Sequence, residues 1–263
     1  MGGSAMLKPT VPHLRRLKIR PGHWGQWLAT GTAGLVGFVV LALLLVFQTD
    51  IGHLDQRLLS GVISLRSPGL TAFASAVTRL GSASVVVPLS LAAAVIVGLR
   101  SRKILLPIAL LATLAATASL VTILKIALDR PRPPAALVVG VALSSDAFPS
   151  GHTTDGSVLA ILTAAMFALT IGNVLVRRLL VISGCLLALL IGCSRIYLGL
   201  HWPSDVLGGW LLATTMVSVA MALVNLALIP YPGGETVPDV LDPDAIDDAT
   251  GPMTLQQTGH AKD

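Results

Sequence analysis

The chain has 263 residues, of which 54% are hydrophobic and 12% charged, with a mean hydropathy of +0.81. Soluble domains carry about 25% charged residues, so this composition excludes an ordinary soluble fold and indicates an integral membrane protein. The net charge of +5 is not a nucleic-acid signal, because the basic residues lie in short polar stretches between apolar runs, where they set topology.

Residues 1–27 form a basic lead-in with Lys8, Arg15, Arg16, Lys18 and Arg20, suited to a cytoplasmic surface of anionic lipid. Trp24 and Trp27 mark an interface, and Leu28 to Phe47 is apolar for about 20 residues, enough to cross a bilayer. It exceeds a signal-peptide core and is followed by no small-x-small cleavage pattern, so it reads as a retained span. After Asp50, the residues Ile51, Leu54, Leu58, Leu59 and Val62 recur at helical spacing, with Asp55, Gln56 and Arg57 between them. That pattern predicts an amphipathic helix on the membrane surface. Ser67-Pro68-Gly69 breaks it, and a second short helix is expected from Leu70 to Leu80.

Further spans follow at Ala83 to Leu99, Ile104 to Leu124, Thr154 to Ile171, Leu179 to Gly192 and Val206 to Ile229. The expected fold is therefore all-α, a polytopic bundle of six transmembrane helices occupying residues 28–230. Cys185 and Cys193 fall in one apolar segment, too far apart along a helix for a disulfide, and read as small buried packing residues. Residues 231–263 turn acidic and rich in Pro and Gly, the composition of a disordered tail, here placed in the cytoplasm.

Two polar connections interrupt the spans. One runs from Lys125 to Asp155 and contains Asp129-Arg130-Pro131-Arg132-Pro133-Pro134 and Pro149-Ser150-Gly151-His152; the other runs from Ser194 to Asp205. With the basic lead-in inside, the loops carrying Arg100, Arg102 and Lys103 and carrying Arg177 and Arg178 are also inside, as the positive-inside rule requires. The same count places both polar connections on the outer face, where their charged groups converge.

Lys125, Arg132 and Arg195 bring three cations to that patch with few carboxylates nearby, which suits a multiply charged anion. Arg matches phosphate oxygens in a bidentate fork. Pro149-Ser150-Gly151-His152 precedes a helix, so its N–H groups can face the same anion, and Gly151 permits close approach of the backbone. Pro203 suits a first helical turn, which puts Asp205 beside His201. A carboxylate holding one ring nitrogen makes His201 the better nucleophile, and His152 the better general acid. No cluster has metal-ligand spacing, so neither metal nor cofactor is expected, and the cations supply the charge stabilisation.

Blander readings stand beside these. Lys125 alone is also a snorkelling anchor. Arg130 fits a surface pair with Asp129 as well as a site cation. Asp155 either complements a helix N-terminus or meets a substrate headgroup. Tyr197 and Trp202 read as interface residues.

Taken together, Lys125 with Arg132-Pro133, Pro149-Ser150-Gly151-His152, and Ser194-Arg195 with His201 and Asp205 resemble the three-part signature of the type 2 phosphatidic acid phosphatase superfamily. All three spacings hold without gaps, and the resemblance covers roughly residues 50–228. It implies that Lys125, Arg132 and Arg195 bind phosphoryl oxygens together with Ser150 and the Gly151 amide. It further implies that His201 forms a phosphohistidine with help from Asp205, and that His152 protonates the leaving group without a metal. The implied protein is a lipid phosphatase of a plasma membrane, with both termini cytoplasmic and the site facing outward. A polyprenyl diphosphate is the expected substrate; phosphatidylglycerophosphate or phosphatidic acid is the alternative. Phosphotransfer to a hydroxyl and lipid-phosphate binding without hydrolysis stay open, and oligomeric state is not indicated.

Overall fold

The computed structural model describes residues 24–47, 50–141 and 146–228. Most of the basic lead-in and the acidic tail lie outside the described residues, while Trp24 to Trp27 join the first helix. The elements in order are α1 (Trp24–Val46), α2 (Ile51–Ile63), α3 (Pro68–Arg79), α4 (Ala83–Ser101), α5 (Leu105–Leu128), a 3₁₀ turn (Ala135–Leu137), α6 (Gly151–Leu169), α7 (Val174–Tyr197) and α8 (Pro203–Leu228). Six of them, α1 and α4 to α8, are long and apolar enough to cross a membrane.

Local chemistry sets the boundaries. Ser67 caps α3 by accepting from the Leu70 amide, and Pro68 occupies the first turn, where its missing N–H is harmless. Asn173 caps α7 by accepting from Leu175 and Val176. Two non-glycine residues in the left-handed region, Arg102 (φ 52°) and Asp129 (φ 39°), terminate α4 and α5. α6 begins at Gly151 rather than Thr154, and α7 continues to Tyr197. Lys125 and Arg195 therefore stand on the last turns of helices rather than in loops.

α6 and α8 form the centre of the bundle. Just over half of each span (56%) is buried inside the protein, against 17–28% for the other four. α6 packs on α7, α8, α5 and α4, while α1 packs chiefly on α8. The α1–α8 contact is built on small residues. A Cβ at Gly34 would sit 2.9 Å from Thr215 Oγ1 and 3.1 Å from the Leu211 carbonyl, so the backbones meet closely. Membrane helices associate in this way because lipid tails offer no hydrophobic drive for burying Leu.

The cysteines are not buried: Cys185 and Cys193 are exposed on α7. Gly184, Ala188, Ile191 and Gly192 take its packed face, and a step of one residue turns a side chain about 100° away from that face. Those small residues direct both thiols outward. The surface reading of α2 also needs correction. Asp55 and Leu59 point inward and are buried, whereas Leu54 and Leu58 are exposed.

Candidate active site

One end of the bundle gathers the C-terminal ends of α5 and α7, the N-terminal ends of α6 and α8, the segments 129–134 and 146–150, and the short helices α2 and α3. By chain order, Arg100, Arg102, Lys103, Arg177 and Arg178 fall at the opposite end.

Pro203 opens α8, which places Asp205 in the first turn and one turn beyond His201. The Asp205 carboxylate is fully buried. Its Oδ2 accepts from the Trp202 amide (2.9 Å) and lies 3.3 Å from His201 Nδ1. On the far side of the ring, Arg132 Nη1 stands 3.0 Å from His201 Nε2. A guanidinium has only donors, so Nε2 carries a lone pair and Nδ1 carries the proton that Asp205 receives. His201 is 1% exposed, and its pKa is depressed well below the ordinary 6.5, first by burial and then by Arg195, Arg132 and Lys125. A hydrogen bond to the Ala147 backbone acts in the opposite sense. The ring is neutral, with its lone-pair nitrogen turned toward Arg132.

Two of those cations are held by backbone carbonyls. Lys125 and Arg132 both donate to the Asp146 carbonyl, and Arg132 also donates to the Leu200 carbonyl at 2.7 Å. Burial lowers the Arg132 pKa, while Asp205 and Asp146 raise it. Arg195 is 2% exposed and gives Nη1 to Thr78 Oγ1 at 2.9 Å. Its Nε and Nη2 are buried with no hydrogen-bond partner among the described residues. Unfilled donors on a buried charge are costly.

The loop before α6 supplies the rest. Ser150 is buried at the N-cap of α6, and its amide donates to the Asp205 carbonyl at 3.1 Å. Its Oγ accepts from Thr153 Oγ1 at 2.9 Å, which leaves the Ser150 proton available to an acceptor. Gly151 is the first helical residue, with Lys125 Cε and Asp155 Oδ2 each 4.0 Å from where a Cβ would be. Phe148 closes the floor, 1% exposed, stacked on Phe38 at 5.4 Å and lying flat against Gly208.

His152 and Arg195 line a cavity of about 400 Å³ with Ser75, Thr78, Arg79 and Leu200. His201 is not among its lining residues, and Arg132 stands at its Nε2. A larger cavity, about 660 Å³, is bounded by α1, the start of α2 and residues 127–131; it touches His53, Arg130 and Phe148 but neither His152 nor His201. The smaller cavity is the one that His152 and the buried Arg195 line.

Every residue singled out in the sequence thus reaches this end of the bundle: Lys125, Arg132, Ser150, Gly151, His152, Arg195, His201 and Asp205. Asp155 faces Lys125 from the second turn of α6, half-buried, with Oδ1 lacking a hydrogen-bond partner among the described residues. The reading of Arg130 as a partner of Asp129 is corrected. Asp129 takes the left-handed position that ends α5, while the Arg130 fork turns inward to Asp55 Oδ2 (2.6 Å) and to Asp205 Oδ1. Asp55 was missed because its spacing matches the polar face of a surface helix. Tyr197 and Trp202 also do more than mark an interface. The Tyr197 hydroxyl accepts from the Ser67 amide (3.0 Å), and Trp202 Nε1 donates to the Pro131 carbonyl (2.9 Å).

Comparison with known proteins bears on the family and the fold. Residues 106–228 match the PAP2 superfamily model. A phosphatidylglycerophosphatase B of Bacillus subtilis is 29% identical over 178 residues, covering 66% of this chain and 84% of that protein. An undecaprenyl-diphosphatase of Sulfolobus acidocaldarius is 36% identical over 70 residues, 26% of this chain and 28% of that protein. Among solved structures, a transmembrane PAP2-type phosphatidylglycerolphosphate phosphatase from Bacillus subtilis superposes with a TM-score of 0.70 at 23% identity. That match covers 75% of this chain and 96% of that one, and shows the same fold. The match to the PAP2 superfamily model thus takes in just under half of the chain, and the six long apolar helices make the chain a multi-pass membrane protein.

Proposed function

We propose that this protein is a lipid phosphatase of the PAP2 superfamily that hydrolyses a phosphate or diphosphate ester at the membrane–water boundary through a phosphohistidine. The observation that carries the reading is the pairing of a neutral, buried His201 with Arg195, a buried cation whose Nε and Nη2 lack partners among the described residues. Three guanidinium or ammonium groups and the Ser150 hydroxyl take the phosphoryl oxygens. The incoming anion draws Arg132 off Nε2, which leaves that lone pair facing phosphorus.

In the first displacement a bond forms between His201 Nε2 and the terminal phosphorus as the bond from that phosphorus to the leaving oxygen breaks, the bridging oxygen of a diphosphate or the ester oxygen of a monophosphate. His152 gives its proton to that leaving oxygen, and Asp205 steadies the Nδ1–H as positive charge grows on the ring. In the second displacement water attacks phosphorus, the N–P bond breaks and inorganic phosphate leaves, with His152 taking the proton from water. The cations hold the transition-state charge, so no metal is required.

A polyprenyl diphosphate is the substrate this reading favours. The cavity beside His152 and Arg195 is also lined by Arg79 from the last turn of α3, a cation placed for a second phosphate. The relatives named above act on phosphatidylglycerophosphate and on undecaprenyl diphosphate, and the former is the second reading here. By the charge of its loops the site faces outward from a plasma membrane, with both termini inside.

The test is phosphate release by purified protein in detergent containing EDTA. Polyprenyl diphosphate, phosphatidylglycerophosphate and phosphatidic acid are supplied in parallel, with His201→Ala beside the native chain. Release that survives EDTA and is lost in the variant is expected. No release from any lipid by folded protein refutes hydrolysis and moves the weight to phosphotransfer or binding.

A further inference from the structure

Behind His201 the structure holds a buried network that the mechanism above does not use. Asp55 from α2 is 2% exposed and accepts from three donors. Its Oδ1 receives the Ser204 amide at 2.9 Å, while Oδ2 receives Arg130 Nη2 at 2.6 Å and the Ser204 hydroxyl. Arg130 Nη1 meets Ser204 Oγ at 2.7 Å and also Asp205 Oδ1. The order of groups is therefore Asp55, Arg130, Asp205, His201, with Ser204 bracing the first two. Asp55 lies outside the family match, which begins at residue 106.

We propose that Asp55 and Arg130 are positioning residues, which hold Asp205 in the one orientation that presents its second oxygen to His201 Nδ1. The proposal rests on His201 being the nucleophile. The argument is one of geometry and charge. A buried carboxylate has two oxygens and several lone-pair directions, and an unheld Asp205 would rotate away from a ring 3.3 Å distant. Arg130 fixes Oδ1 and so aims Oδ2. Alone, however, the guanidinium would cancel the charge that Asp205 needs to stabilise a positive imidazole. Asp55 supplies the balancing charge, so Arg130 grips Asp205 while the three groups together keep one net negative charge. Lys in place of Arg130 lacks the fork that reaches both carboxylates at once.

The test uses the full-length protein in detergent with the lipid that the native chain hydrolyses. Asp55→Asn preserves shape and removes only the charge. It is expected to lower kcat about 10–100-fold, the range seen when the outer partner of a functional histidine is lost, with KM close to native. The acid limb of kcat/KM should also move to lower pH, because His201 still faces Arg195, Arg132, Lys125 and Asp205 but loses one distant negative charge. A structural defect alone would scale the profile without moving it.

The double variant Asp55→Leu with Arg130→Met replaces the buried pair by apolar groups, a change that proteins often tolerate. It should fold and remain slow. Native kcat with an unmoved pH profile in Asp55→Asn, or native kcat in the folded double variant, overturns the proposal and leaves the phosphatase reading standing. A native chain that releases no phosphate from any lipid overturns both.

Discussion

Replacing Arg195 with Met should move stability and activity in opposite directions. The guanidinium is 2% exposed, with Nη1 on Thr78 and two further donors, Nε and Nη2, unfilled among the described residues. A buried donor left without a partner costs about 1–3 kcal/mol, more when charged. Met has similar length and no donors, so Arg195→Met removes that cost and the protein should melt at or above the native temperature when no anion is present. The same change deletes two charge-assisted hydrogen bonds to phosphate, each worth about 1.5–3 kcal/mol. Their loss, about 3–6 kcal/mol together, corresponds to a fall of about 10²–10⁴ in kcat/KM at 1.36 kcal/mol per decade. Thermal unfolding in detergent, with and without inorganic phosphate, reads the first half, because an anion that binds the folded state raises its melting point by mass action. Phosphate should stabilise the native chain and not the variant. A variant that melts well below the native chain without phosphate, beside a native chain indifferent to phosphate, would show that Arg195 is a structural ligand of Thr78 and refute the reasoning.

Asp205→Asn should keep the fold, since Arg130 retains Asp55, yet lower kcat by about 10²–10⁴, the range for general acid–base help; near-native turnover removes Asp205 from the mechanism. The depressed pKa of His201 keeps Nε2 available below pH 6.5, so the limb of kcat/KM that reports its protonation should lie below that value in a pH–rate profile. The linked stability has a definite sign: as pH falls through about 6.5 the unfolded chain takes up a proton that the folded ring refuses, so folding weakens toward acid, as unfolding midpoints across that range will show. Gly208→Ala places a Cβ 2.4 Å from the Phe148 ring; overpacking of this kind costs about 1–3 kcal/mol, measurable as a lower melting temperature, and an unchanged melt would mean that the 146–150 loop shifts freely. Arg79→Ala should raise KM for a diphosphate lipid and leave that for a monophosphate lipid unaltered; equal effects on both would remove the argument for a second phosphate subsite.

The bundle itself was legible because membrane burial leaves a strong one-dimensional trace. Apolar runs gave all six spans, although Leu179 to Gly192 falls short of the roughly 20 residues that a crossing needs, and the breaks at Ser67-Pro68 and Trp202-Pro203 fell where the helices begin. Boundaries were less legible. α7 extends beyond the predicted Leu179 to Gly192 at both ends, because Arg177, Arg178 and Arg195 are polar in sequence yet helical in backbone, and hydropathy registers the first property only. The outward turn of Cys185 and Cys193 was invisible for a related reason. In a fully apolar helix, the packed face is chosen by the small residues Gly184, Ala188 and Gly192 rather than by hydrophobicity.

At the site, the residues visible in the sequence were those expected to touch a ligand, and the ones missed stand a layer behind. Lys125, Arg132, His152, Arg195 and His201 are costly at a membrane boundary unless a charge answers them, which is why each drew attention. Asp55 and Arg130 answer each other. Their charges cancel within α2, the start of α8 and the turn after α5, so neither leaves a visible imbalance, and each has a nearby residue or helix face that explains it plausibly in one dimension. A sequence signature of this kind therefore identifies groups by an electrostatic debt that the substrate settles, whereas a supporting pair whose debt is settled internally can be found only in three dimensions. Asp205 belongs to both sets: one oxygen is held by the pair behind it, the other by the histidine in front. It is the residue through which a segment outside the family match reaches the His201 imidazole.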